Sequence, residues 1–320
     1  MPAPHTTYMN QQTKMKVGIV IPVLNGARDL AFLLPTLLAE PGVDSLLVVD
    51  SSSSDQSSEI VRSHDSVKLL TIPRSEFNHG ATREQARLLL GVDVVVFLTQ
   101  DVLPEPGFLA PLLAPILSGK AAVTYARQLP REGSDFFEAF PRDFNYPAES
   151  NHRSLAQASN FGVYTFLCSN SCAAYSNAVL NEIGGFRPIL SNEDYIAAAR
   201  ILEAGHQIYY VASSRVRHSH RYTLKAEFQR FFDHGYVRAQ NAWIAKRTGF
   251  AEGRGFGYAR TMLRQLTFST PLLLPYGIAH LAAKWAGFRL GYFACRAFPR
   301  DWCRVFSDQK YYWNSRYWSR

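Results

Sequence analysis

The chain has 320 residues, 47% of them apolar, enough for a substantial buried core in one large domain or two ordinary ones, which excludes a disordered chain. A formal charge of +8 predicts attraction to anions, whether nucleic acid, an anionic membrane surface or a phosphate-bearing substrate. Cys168, Cys172, Cys295 and Cys303 lack the close pairing of a zinc ribbon and read as free thiols of a reducing cytoplasm.

Residues 1–15 are polar, without the basic start and apolar centre of a secretory signal, and read as a disordered lead-in. A β-branched run over 16–23 ends at Asn25-Gly26, the pattern of a buried strand entering a loop. Leu30, Leu33, Leu34, Leu37 and Leu38 then recur at helical spacing until Pro41-Gly42. Strands over 45–50, 67–72 and 92–98 alternate with helices over 55–62 and 82–90. Continuously apolar strands alternating with helices predict an α/β fold with a mostly parallel sheet covered on both faces. Ligands of such sheets bind beyond the carboxyl ends of the strands, which selects 22–25, 50–55, 74–83 and 99–101.

The alternation fails beyond Pro130, and 132–161 is a long segment without a period, of the kind that is functional or mobile. A strand over 167–175, a short helix over 177–183, a Gly184-Gly185-Phe186 stop and a helix over 192–204 follow. Strands over 207–211 and 214–218 complete the core. From Thr223 to about Phe298 the pattern is helical, with a Gly-rich break at 249–257. The apolar run 266–283 is interrupted by Ser269, Pro271, Pro275 and His280, which argues against a transmembrane helix.

Asp50 ends a strand before Ser51-Ser52-Ser53-Ser54-Asp55, where small residues let the backbone turn around a carboxylate, an arrangement suited to a base or ribose; Asp55 itself serves equally well as a helix cap. Asp101 follows Thr99-Gln100 at the tip of a buried strand. Its carboxylate, with diphosphate oxygens, forms a hard ligand set for Mg²⁺ or Mn²⁺. The loop and helix start Phe77-Asn78-His79-Gly80-Ala81-Thr82-Arg83 suit a grip on anionic oxygens. Asn192-Glu193-Asp194 opens a helix, as a capping pair or as carboxylates on a pocket wall. His218 and His220 alternate near a strand end, where one or both can meet a metal or phosphate.

Ile21-Pro22-Val23-Leu24-Asn25, Val49-Asp50 with its serines, Thr99-Gln100-Asp101 and Asn192-Glu193-Asp194 occur in an order that resembles family 2 glycosyltransferases over residues 16–220. Phe77 to Arg83, Thr99 to Asp101 and Cys168-Ser169-Asn170-Ser171-Cys172-Ala173-Ala174-Tyr175 look like the bacterial rhamnosyltransferases that build O-antigen and related polysaccharides. The resemblance implies a GT-A catalytic domain over 16–222 and a helical region over 223–320. It further implies a nucleotide-sugar donor, here dTDP-L-rhamnose, a divalent metal and inversion at the anomeric carbon. Asp101 matches the last carboxylate of the family's Asp-any-Asp metal motif, with Thr99 in place of the first, which shifts coordination toward the diphosphate, water and a histidine such as His218. Asp194 matches the general base. Pro22, Asn25, Asp50, Ser52, Asn78, His79, Arg83, Gln100 and Glu193 are the expected substrate-binding residues. The implied acceptor is a polyprenyl-diphosphate-linked saccharide at the inner membrane face.

Basic and aromatic residues interleave from 223 to 298, which suits an interfacial helix on an anionic bilayer and also a helical pair packed on the catalytic domain. The tail 301–320, with Trp302, Tyr311, Tyr312, Trp313, Tyr317 and Trp318, is too aromatic for a free end. No nucleic-acid motif with stacked aromatics accompanies the positive charge. The loop 22–26 lacks the glycine fingerprint of a dinucleotide-binding oxidoreductase. Transfer of another sugar, such as galactofuranose or glucose, or nucleotide binding without catalysis, are the competing readings.

Overall fold

The computed structural model describes residues 14–248 and 252–318, so most of the expected lead-in and the start of the Gly-rich break lie outside the described residues. Strands β1 (Val17–Val23), β2 (Ser45–Asp50), β3 (Val67–Thr71) and β4 (Val94–Leu98) alternate with helices α1 (Ala27–Ala39), α2 (Ser57–Arg62) and α3 (His79–Leu90). Next come β5 (Leu103–Pro104), α4 (Leu109–Leu117), β6 (Val123–Leu129), α5 (Phe136–Asn145), β7 (Asn151–Arg153), α6 (Ala158–Phe161), β8 (Cys172–Ser176), α7 (Asn177–Glu182), α8 (Glu193–Glu203) and β9 (Ile208–Arg217). The last third is helical: α9 (Leu224–Gln240), α10 (Ala242–Thr248), α11 (Glu252–Ser269), α12 (Leu274–Ala297) and α13 (Arg300–Phe306).

The strands form one mostly parallel sheet in the order β3-β2-β1-β4-β8-β6-β9-β5, with β7 pairing on β9. β3, β2, β1 and β4 are mutually parallel, and β8 enters antiparallel between β4 and β6. Alternate residues of β4 face opposite sides: Val95 and Phe97 join one apolar cluster, Val94, Val96 and Leu98 the other. Both faces of the central strands β1, β2 and β4 are buried, which is why they read as nearly unbroken apolar runs.

Several elements differ from their expected extent. α4 and β6 lie outside the sequence reading, because α4 is nearly all apolar and carries Pro111 and Pro115, and because Arg127 and Gln128 interrupt β6. The two strands expected over 207–218 are one strand, β9, whose register against β6 jumps after Ala126. The strand expected from 167 starts at Cys172, since 162–166 turn as a 3₁₀ segment. The aperiodic 132–161 holds α5, whose Asp135–Glu138 capping box was present in the sequence as an Asp-x-x-Glu pattern. Gly253, Gly255 and Gly257 sit within α11.

α9 and α12 pack closely because of glycine. A Cβ on Gly235 would lie 2.0 Å from the Phe288 carbonyl, and one on Gly291 would lie 1.9 Å from that of Phe232. Gly291→Ala is expected to lower stability by about 1–3 kcal/mol through overpacking. Gly253→Ala, at a helical position open to solvent, should be neutral or stabilising by up to about 1 kcal/mol. Urea denaturation of the two variants checks this; equal midpoints would refute the close-packing argument.

The aromatic tail docks on the protein itself. Trp313 is fully buried and belongs to the same core cluster as Val20 of β1, together with Phe232 and Tyr236 of α9. Asp233 accepts the backbone N–H groups of Asp308 (3.1 Å) and Gln309 (3.0 Å), pinning the tail to α9. Cys168 and Cys172 are buried free thiols, and Cys295 is a free thiol.

Candidate active site

The strand order reverses between β1 and β4, and the loops leaving their carboxyl ends diverge there into the crevice where ligands of open α/β sheets bind. The loops are laced together by side chains. Gln100 accepts from the Leu24 N–H (2.8 Å) and donates to the Leu24 carbonyl (3.2 Å). Asn25 accepts from the Ser54 N–H (2.8 Å), while the Asn25 N–H donates to the Ser53 hydroxyl (2.8 Å). Asp50 is buried and accepts from the hydroxyls of Ser53 (2.5 Å) and Ser58 (2.9 Å). Ser52 donates to the Ile72 carbonyl, and Pro22 stays half-buried within β1. Among the described residues, the non-glycine positions with positive φ are Asn25 (51°), Ser52 (60°) and Asn192 (62°), all among the expected site segments. Such strain persists only where surrounding contacts hold it, and the lacing supplies them.

Asp101 meets two imidazoles. Its Oδ2 lies 3.4 Å from His218 Nε2 and 3.1 Å from His220 Nε2, and the three potential ligand atoms fall within 4.8 Å of one another. Gln128 fixes the orientation of His218. Its Nε2 donates to the Ser169 hydroxyl (2.8 Å), so its Oε1 faces His218 Nδ1 (2.9 Å) and can only accept. His218 Nδ1 therefore donates to Gln128, and its Nε2 faces the Asp101 carboxylate. Burial favours the neutral ring, lowering His218 against the pull of Asp101, and burial followed by the His218 charge pushes His220 down to about 4. Burial raises Asp101, but the His218 bond and then the histidine charges outweigh it and hold the carboxyl well below its usual range. A carboxylate and two imidazole nitrogens within 4.8 Å of one another fit a divalent cation, and Gln128 fits the outer partner such ligands require. Arg142 donates to the His218 carbonyl (2.7 Å), and Arg131 binds the Asp101 carbonyl and Asp29.

A second cluster surrounds the start of α8. Asn192, in the left-handed conformation, delivers Glu193 and Asp194 into the first turn. Glu193 is buried against Arg83 (3.0 Å) and accepts from the Asn170 amide (3.0 Å). Burial raises Glu193, but the Arg83 charge and then that of His79 hold it below the usual range. Asp194 is half-buried and accepts from the backbone N–H groups of Asn170 (3.1 Å) and Tyr195 (2.7 Å). Burial, then the Glu193 charge, pushes its carboxyl up despite these bonds. The two clusters meet at one turn: Gln128 bonds Ser169, and the next residue, Asn170, bonds Asp194 and Glu193.

Four residues expected to touch substrate are instead spent on protein partners. Asn78 caps α3 through Gly80 and Ala81 and donates to the Ile189 carbonyl (2.9 Å), which leaves it 1% exposed. Arg83 and Glu193 neutralise each other in the interior. His79 is half-buried, with its ring edge-on to Phe77 at 5.0 Å and a hydrogen bond to Gln309 of the tail. The sequence reading did not single out Gln128, Arg131 or Arg142. Alternation along 123–129 was the available signal for Gln128; the two arginines sit in the segment without a period.

A cavity of about 620 Å³ opens at the amino ends of β4 and β6, lined by Asp93, Lys120 and Gln207 on the side of the sheet away from these clusters. It lacks the convergent titratable groups of the opposite edge.

The chain is similar to several known proteins. The O-antigen chain rhamnosyltransferase RfbN of Salmonella typhimurium is 34% identical over 306 residues, spanning 94% of this chain and 97% of that protein. The O-antigen chain rhamnosyltransferase WbaN of Salmonella anatum is 38% identical over 274 residues, spanning 84% and 86%. Among solved structures, S. aureus TarS 1–349 in complex with UDP-GlcNAc superposes with a TM-score of 0.56 at 16% identity, covering 88% of this chain and 92% of that one. The mannosyltransferase PcManGT of Pyrobaculum calidifontis, in complex with GDP-Man and Mn²⁺, gives 0.55 at 19% identity, covering 94% and 86%. The fold is that of the GT-A glycosyltransferases. Residues 18–184 match the family described as Glycosyl transferase family 2, and the chain belongs to it, as a glycosyltransferase enzyme.

Proposed function

We propose that this enzyme transfers L-rhamnose from dTDP-L-rhamnose, with inversion, to a hydroxyl of a polyprenyl-diphosphate-linked saccharide at the inner face of a bacterial cell membrane. The observation carrying the reading is near full-length similarity to two O-antigen chain rhamnosyltransferases; the contacts that run from Asp101 through His218, Gln128 and Ser169 to the Asn170–Asp194 bond support it.

Asp194 takes the proton from the acceptor hydroxyl. The freed oxygen attacks the anomeric carbon, and the bond to the diphosphate breaks with its electron pair leaving on the nucleotide. The raised carboxyl suits a base that must hold a proton briefly. Glu193, Arg83, Asn170 and Asn78 position Asp194, and Asp50, Ser52, Asn25, Pro22 and Gln100 form the nucleoside edge. Asp101, His218 and His220 would hold Mn²⁺ or Mg²⁺, which supplies positive charge to the departing diphosphate. Arg131 and Arg142 add positive charge beside this cluster, suited to diphosphate oxygens. The enzyme works as a peripheral protein on an anionic membrane surface; among the described residues, no helix is long and apolar enough to cross a membrane.

Calorimetric titration with dTDP-L-rhamnose and UDP-sugars, with and without Mn²⁺ or Mg²⁺, tests donor and metal together. dTDP-L-rhamnose is expected to bind tightest and only with metal, and Asp101→Asn to weaken Mn²⁺ affinity by about 100-fold. Equal binding of UDP-sugars would overturn the donor assignment, and metal-independent binding would overturn the Asp101 role.

A further inference from the structure

Helix α12 is built inside out. Its buried face is Gly277, His280, Lys284, Gly287, Gly291 and Ala294, small or polar residues spaced to line one side of a helix. The large apolar side chains lie on the opposite side, where Ile278, Trp285 and Phe293 are 54%, 69% and 60% exposed. Ala282 and Arg289 fall between them at spacings of three and four, so these residues form one continuous stripe. At the hairpin where α11 turns into α12, Phe268 is 80% and Leu272 95% exposed. A water-facing helix normally arranges its residues the other way round.

Charge sets the nature of the partner. The stretch 253–300, which covers nearly all of α11 and the whole of α12, contains no aspartate or glutamate and seven lysines or arginines. Of these, Arg260, Arg264, Arg289 and Arg296 are exposed. Apolar rings and leucines interspersed with exposed cations match the boundary between acyl chains and anionic headgroups.

The hairpin also borders the site. Leu273 and Tyr276 line a groove of about 290 Å³ with Phe137, Arg221 and Tyr222. The Tyr222 ring lies 5.5 Å from His220, which contacts Asp101. An apolar hairpin thus leads through an amphipathic groove to the proposed metal site.

We infer that the tip of the α11–α12 hairpin and the outward stripe of α12 are the surface that seats this enzyme on an anionic bilayer, with the groove facing the membrane so that a lipid-linked acceptor reaches Asp101 and Asp194 without leaving it. The route of the acceptor rests on the function proposed above. The bilayer-docking surface does not.

Sedimentation of the full chain with lipid vesicles tests the surface without requiring catalysis. Binding is expected to phosphatidylglycerol mixed with phosphatidylcholine at low salt, and to fall on phosphatidylcholine alone and at high salt. The triple variant Phe268→Ser, Leu272→Ser, Trp285→Ser should lose about tenfold or more in vesicle affinity while keeping its donor affinity in solution. Arg264→Glu with Arg289→Glu, which leaves every apolar residue in place, should abolish the preference for anionic lipid. Absence of binding by the unaltered chain, or equal binding by either variant, overturns the inference. So does a dimer, seen by light scattering, that the triple variant dissolves while vesicle binding is absent; the face would then belong to a second copy. Failure of dTDP-L-rhamnose binding with vesicle binding intact would strike the donor proposed above and leave the surface standing.

Discussion

Asp194→Asn is expected to reduce transfer by about 10²–10⁴-fold while changing donor affinity little. Asparagine keeps an oxygen to accept from the N–H groups of Asn170 and Tyr195, so the first turn of α8 should hold its shape. What it loses is the charge that takes the acceptor proton. The sign of the pH dependence follows from the environment. Burial and the Glu193 charge push Asp194 up, so the base is ionised only above the usual carboxylate range, and turnover rises with pH through that raised value. The variant should show no such limb. Steady-state transfer across pH, alongside donor calorimetry, checks both. Turnover within about threefold of the unaltered enzyme would remove Asp194 from the role.

Arg83→Met should be the most destabilising single change around the site, at about 3–5 kcal/mol, because it strands the Glu193 carboxylate in the interior. Glu193 is held below its usual range, with the Arg83 charge the largest cause opposing burial. A depressed carboxylate contributes stability above its unfolded pKa, and that contribution fades as pH falls through the folded value. In Arg83→Met the depression is gone, so Glu193 takes up a proton more readily and the deficit shrinks as pH falls from neutral toward the carboxylate range. Adding Glu193→Gln should restore much of the loss at neutral pH, since no buried charge then lacks a partner. Guanidinium denaturation of the single and double variants at two pH values decides it. A deficit independent of pH and untouched by the second substitution would show that packing, not charge, sets the cost.

β1, β2 and β4 were legible because a strand buried on both faces leaves no polar alternation to misread, and the rule that ligands gather at carboxyl ends then selected Asn25, Asp50 and Asp101 directly. Other features depended on contacts no local pattern contains. Asn78 was legible as a polar residue at a helix start, but that it spends its amide on Ile189 is set by a loop more than a hundred residues later. Arg83 and Glu193 each looked like a ligand group, and only the packing of α3 near α8 makes them partners of each other. The histidine pair was visible as alternating residues. The Gln128 amide that orients one of them was not, because β6 itself was obscured by the polar residues that do the orienting.

The docked tail bears on how the protein is made. Val20 leaves the ribosome early and Trp313 late, yet they share one apolar cluster. While the chain is being extruded, the sheet can pair its strands, but the face beneath the tail stays open, with Phe232 and Tyr236 lacking their last neighbour. Closure of that face therefore waits until Trp313 has emerged, and until then the nascent protein exposes apolar surface of the kind that favours aggregation.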